Sequence, residues 1–116
     1  MSQAAFFVNR SPVPASEVRI ESVGVNPLDR RRVDVAVDLV PCQQAVNVEM
    51  VIVGPRDDEL CSIVLVDNRE WTLDRVMHLP QDAEAGEHTL HVGVFDEDVL
   101  VVRAERHFAF PLPDST

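Results

Sequence analysis

The sequence predicts an all-β domain, built as a two-sheet antiparallel sandwich of seven to eight strands. Short runs alternate apolar and polar residues with a period of two, the mark of a strand with one face buried and one wet. Turn residues (Gly, Pro, Asn, Asp) recur at intervals of about ten residues, the spacing of a sandwich rather than of βαβ units. Residues 85–95 then read as a central strand: His88, Leu90, Val92 and Val94 fall on one face, and Glu87, Thr89, His91 and Gly93 on the other.

Residues 1–14 read as an extended arm, with the apolar run Ala4, Ala5, Phe6, Phe7, Val8 ahead of Pro12 and Pro14, each of which fixes φ and restricts its neighbour. Residues 15–113 form the single domain, and 114–116 a tail. The first strand carries Val18, Ile20, Val23 and Val25 before Asn26-Pro27. The second alternates most cleanly, with Val33, Val35, Val37 and Leu39 against Asp34, Ala36 and Asp38, and Pro41 closes it. In the third, Val46, Val48, Met50 and Ile52 alternate with Asn47, Glu49, Val51 and Val53, and Gly54-Pro55 with three acids makes the turn. Residues 60–66 are apolar on both faces, so periodicity leaves their orientation open. Residues 71–79 break phase at Asp74-Arg75, and a bulge would reconcile them with a strand. The tip Asp96-Glu97-Asp98 leads to a last strand from Val99 to Phe110, stopped by Pro111. The expected core is Val18, Ile20, Val35, Val37, Leu39, Val48, Met50, Ile52, Leu90, Val92, Val94 and Phe108.

Composition narrows the function. The 116 residues carry 20 acids against 10 basic residues, a formal net charge of −10, and every base is Arg. Phosphate backbones and anionic membranes need clustered positive charge, and the one basic run, Arg30-Arg31-Arg32, sits between Asp29 and Asp34. No nucleic-acid or membrane partner is therefore expected. Without Lys, Schiff-base chemistry and a P-loop are excluded. The N-terminus lacks the basic and apolar regions of a signal peptide, and two isolated cysteines, Cys42 and Cys61, read as free thiols, so the expected location is cytoplasmic.

Leu79-Pro80 followed by Glu84-Ala85-Gly86-Glu87-His88-Thr89-Leu90 resembles the corner entering the sixth strand of immunoglobulin-like and fibronectin-III-like domains. There His88 stands where those domains carry the corner Tyr, and Leu90 where antibodies carry a Cys. The resemblance implies an immunoglobulin-like sandwich without the antibody disulfide, and it brings no active site.

Chemistry-bearing residues are sparse. His88 and His91, three apart on one strand, point to opposite faces and cannot share a metal; His88 reads as a corner residue bonded to backbone. The acids at 57–59 with Asp82 and Glu84, and those at 96–98 with Asp67 and Glu70, read as solvated tips at opposite ends, with calcium the alternative. Neither a Gly-x-Ser-x-Gly elbow nor a His-Glu-x-x-His helix occurs. The expectation is a non-catalytic binding module with no metal and no cofactor. Carbohydrate binding is the alternative, and it would rest on Trp71 and Phe95.

The expected site is the outer face of the sheet holding the third, fourth, sixth and seventh strands. It comprises Val51, Val53 and Phe95, with either Ile63 and Leu65, which are assigned to the site, or Val64 and Val66. Apolar patches beyond a few hundred Å² mark interaction surfaces, so a protein partner or a homodimer is expected there unless the chain's own Phe6-Phe7-Val8 arm covers it. A strand-dominated far-UV circular dichroism spectrum is the first expected outcome, and a helix-dominated one would overturn the fold.

Overall fold

The computed structural model describes residues 11–110; the apolar run of residues 4–8 and the prolines 111 and 113 lie outside the described residues. After a short 3₁₀ turn at Ala15–Glu17, seven strands follow: β1 (Ile20–Pro27), β2 (Arg32–Leu39), β3 (Val46–Val53), β4 (Glu59–Asn68), β5 (Thr72–His78), β6 (Gly86–Asp96) and β7 (Val99–Phe110). They form two antiparallel sheets, β1-β2-β5 and β4-β3-β6-β7. The sheets pack as a sandwich, with β1 beside β7 and β4 beside β5 at the flanks.

The core follows from the alternation. Val33, Val35, Val37 and Leu39 of β2 are buried together with Val46, Val48, Met50 and Ile52 of β3 and Leu90, Val92 and Val94 of β6. Each such side chain contributes roughly 1.5–3 kcal/mol by leaving water. These are the central strands, and their opposite faces carry the polar partners of the pattern.

Two expected core positions differ. Ile20 is only half-buried, because the β1–β2 register slips between Ile20 and Ser22. Phe110, rather than Phe108, is the fully buried aromatic of β7; Phe108 is partly buried against the core. The expected bulge at Asp74-Arg75 is also absent, since β5 pairs with β2 in unbroken register from Thr72 to His78. The phase break is absorbed by placing Arg75 on the core-facing side, opposite Val35, where its guanidinium escapes to Glu70 at 3.2 Å.

Turn chemistry sets the hairpins. In the β3–β4 turn, Pro55 follows Gly54, Asp57 N–H donates to the Gly54 carbonyl at 3.0 Å, and Asp57 adopts φ 64°. That is a three-residue loop closed by a left-handed residue. Gly86 opens β6 at φ +143°, and a Cβ there would lie 3.0 Å from Pro55 Cγ, so glycine lets the start of β6 pass against the β3–β4 turn.

His88 anchors this corner. It is fully buried, its ring centroid lies 5.6 Å from that of Phe108 and 5.5 Å from that of Phe110, and Nδ1 lies 2.9 Å from the Gly86 carbonyl. A carbonyl only accepts, so Nδ1 carries a hydrogen. Nε2 has no hydrogen-bond partner among the described residues.

His88→Ala is expected to cost about 3 kcal/mol, from a cavity between the two Phe rings plus the lost bond. The measurement is the urea midpoint at unchanged slope. A loss below about 1 kcal/mol would mean that the corner does not depend on this side chain.

Candidate interaction surface on the four-stranded sheet

Residues paired across an antiparallel ladder point to the same face. Met50 and Val48 point into the core and pair with Ile63 and Leu65. Ile63 and Leu65 therefore face inward, where they pack against the core, and the assignment of these two to the outer face is corrected. The outward pair is Val64 and Val66, exposed by 57% and 70%. The physical cause is a bulge. Val53 pairs with Glu59 but Ile52 pairs with Cys61, which leaves Leu60 as an extra residue on β4. One extra residue reverses the facing of everything beyond it.

Val51, Val53 and Phe95 do lie on the outer face, each half-buried. Val51 sits between Ser62 and His91, and Val53 lies opposite Thr89, so polar neighbours separate these two from Val64 and Val66. At the other end of the face, Phe95 pairs with Leu100 across a second bulge at the β6–β7 ladder, and Gly93 leaves room for the Phe95 ring, since a Cβ there would lie 3.2 Å from Phe95 Cε1. Leu100 is 46% and Val99 63% exposed. Between these residues and Val66 stands Asn47, whose amide is spent on the scaffold: its Oδ1 accepts from Asp67 N–H at 2.9 Å and its Nδ2 donates to the Glu97 carbonyl at 3.0 Å. The apolar surface thus gathers at the β6–β7 tip end, with Val64, Val66, Phe95 and Leu100, while Val99, paired with Asp96, is exposed on the other side of the tip. Sequence reading omitted Leu100, because the bulge that turns it outward leaves no mark in an all-apolar run.

The opposite end of the face is polar. His91 Nδ1 lies 3.5 Å from Glu105, and His107 Nδ1 lies 3.0 Å from Thr89 Oγ1 and 4.0 Å from Glu87. Thr89, His107 and Glu87 share the residue types of a nucleophilic triad but not its geometry. A relay needs the acid on one ring nitrogen and the nucleophile on the other, whereas both approach Nδ1 here. The thiols are likewise poor nucleophiles. Burial and the nearby Glu59 push Cys61 up to about 11, and burial with Asp96 raises Cys42, so neither is a thiolate at neutral pH. Both are unbonded.

The acidic tips fall at the two ends expected of them. Arg56 bridges to Glu84 at 2.8 Å over a hollow lined by Asp58, Glu59 and Asp82, and Asn47 ties Asp67 to the 96–98 tip. Among the described residues, no group of three or more His, Cys, Asp or Glu side chains is arranged to hold a metal ion. The Arg30-Arg31-Arg32 run is a turn, capped by Asp29, which accepts from the N–H groups of Arg31 and Arg32 at 2.9 Å each and from Arg32 Nε at 2.7 Å. These bonds hold the Asp29 carboxyl below its ordinary range. Trp71 is partly buried against the core on the β5 side, and Phe95 lies on the other sheet. No helix among the described residues is long and apolar enough to cross a membrane.

A scan of protein-family models and a search of curated proteins return no match to this chain.

On the outer face of the smaller sheet, a hydrogen bond and charge repulsion from Asp74 raise the Asp34 carboxyl above 3.8. A raised acid favours the fold while it is protonated and loses that contribution as pH climbs through its folded value. At pH 7 the two carboxylates repel. Asp74→Asn is therefore expected to raise the melting temperature at pH 7, with the gain shrinking as pH falls through the raised Asp34 titration. Scanning calorimetry across this range checks the sign, and an equal gain at every pH would refute the shared-proton pair.

Proposed function

We propose that this chain is a non-catalytic binding or assembly module of the immunoglobulin-like class, which engages a protein partner or itself through the outer face of its four-stranded sheet. The observation that carries the reading is the exposure of Val64, Val66 and Leu100 around Phe95 at one end of that face. Large apolar side chains cost free energy in water, and a cluster of them on a sheet whose other end is polar marks a surface meant to be covered. The strand order supports a fibronectin-III-like variant of the fold, because β4 joins β3, whereas antibody constant domains place the fourth strand with the first, second and fifth. Two unbonded thiols support a reducing, cytoplasmic setting.

The test uses the neutral dye Nile red together with sedimentation equilibrium. The full chain is expected to bind the dye or to self-associate. The double substitution Val66→Glu with Leu100→Glu should reduce the signal several-fold while moving the melting temperature by no more than about 4 °C, since both side chains stand outside the core. A chain that neither binds dye nor associates has this surface covered, and the reading fails.

A further inference from the structure

Residues 11–15 lie along the loop that carries the chain from β2 to β3. Val13 N–H donates to the Pro41 carbonyl at 2.9 Å, Gln43 N–H donates to the Val13 carbonyl at 2.7 Å, and Ala15 N–H donates to Gln44 Oε1 at 2.8 Å. Val13 therefore pairs in parallel with Cys42, and Ala15 and Val18 are buried. This loop closes the same end of the sandwich as the apolar patch. It runs straight into β3, whose Asn47 pairs with Phe95, and Asp96 is close enough to Cys42 to raise its thiol. The residues ahead of Ser11 are thus rooted at the end of the body where Val66 and Leu100 stand exposed around Phe95.

Those residues have the chemistry of an occupant for that patch. Residues 4–8 read Ala-Ala-Phe-Phe-Val, a run that gains from burial as the patch does. Residues 1–10 contain Arg10 and no acid. The tip beside the patch carries Asp96, Glu97 and Asp98, with Asp67 tied to it through Asn47. Arg69 follows Asp67, and Glu49 and Arg103 flank Gly93 one outward-facing rung inward, so acids outnumber bases at this end.

Direction decides whose patch the run meets. Because the pairing is parallel, the chain running back from Val13 to Ser11 follows residues 42 to 40, toward the end of β2, where Val40 N–H donates to the Arg19 carbonyl ahead of β1. Its own patch lies on the far side of the other sheet. Sheets stack about 10 Å apart, and three residues span at most about 10 Å, so Val8 regains the level of that sheet only by doubling straight back. A neighbouring body offers the same patch without the reversal.

We infer that residues 4–8 of one copy dock on the patch of Val66, Phe95 and Leu100 of a second copy, and that the exchange is reciprocal, giving a closed twofold dimer. This rests on the binding-module reading above and names the partner as the chain itself. The exchange covers two apolar runs and two patches, and it sets each Arg10 near an acidic tip, which offsets part of the repulsion between two bodies of net charge −10.

Sedimentation equilibrium on full-length chains tests this, and the unaltered chain is expected to be a dimer. Phe6→Glu with Phe7→Glu removes the run, and Val66→Glu with Leu100→Glu removes the patch. Each pair should raise the dimer dissociation constant roughly tenfold or more with an unchanged far-UV spectrum, while Phe6→Leu with Phe7→Leu, which keeps the run apolar, should stay dimeric. Mixing the two Glu variants should give a 1:1 complex, because one intact run then meets one intact patch; a mixture that stays monomeric overturns the inference. A dimer that persists in the Phe6, Phe7 pair overturns it in favour of patches that pair face to face, and the binding-module reading stands. One that persists in the Val66, Leu100 pair lies elsewhere on the body and overturns it as well. A monomeric full chain that binds Nile red also sinks the exchange but leaves the surface open to another protein. If the full chain is monomeric and excludes the dye, both readings fall, and dye binding by its Phe6→Glu, Phe7→Glu variant would then seat the run on its own body.

Discussion

The dry layer between the sheets, where Val33, Val35 and Val37 of β2 share the interior with Val48, Met50 and Ile52 of β3 and Leu90, Val92 and Val94 of β6, fixes the facing of every other strand. Side chains alternate with a period of two, so a strand that gives one face to this layer must give the other to water. Polar outward residues on β2, such as Asp34 and Asp38, meet that demand. Where the outward residues are apolar, as on β4, the same constraint leaves them exposed. The exposed apolar face is thus a by-product of geometry that no polar residue was placed to cancel.

Bulges are the second determinant, because they alter facing without altering sequence character. Leu60 sits unpaired in β4, and its insertion turns Ile63 and Leu65 into the core and sends Val64 and Val66 outward. At the β6–β7 tip, the step from Val94–Val102 to Phe95–Leu100 pairing brings Leu100 beside the Phe95 ring. Asn47 then joins the two regions by bonding both Asp67 and Glu97, which holds the end of β4 and the β6–β7 tip at fixed separation. A surface built this way is positioned by backbone hydrogen bonds rather than by flexible side chains.

Charge is distributed with the same economy. Among the described residues no acid is buried, and most stand at turns or on outward faces, where solvent screens them. The exceptions to simple solvation are local: Asp29 caps a turn with three hydrogen bonds, and Asp74 raises the carboxyl of Asp34 beside it. The resulting field is negative overall, with acids at the tips of both ends.

The sequence by itself determined the class of fold, the boundaries of its strands to within a few residues, and most of the core. Strict alternation in β2, β3 and β6 leaves one workable facing, because the reverse would expose Val35 or Met50 and bury Asp or Glu. It also determined the corner, since the Gly86-Glu87-His88 run places a buried imidazole at the entry to β6. Only the tertiary structure decided which side of β4 meets water, why β5 needs no bulge, and which Phe of β7 is fully buried. β4 offers apolar residues on both faces and β5 a charge in mid-pattern, so periodicity has two solutions there, whereas Phe108 and Phe110 share one face and differ only in packing. Pairing with a neighbour, and the single-residue slips that pairing tolerates, selects one.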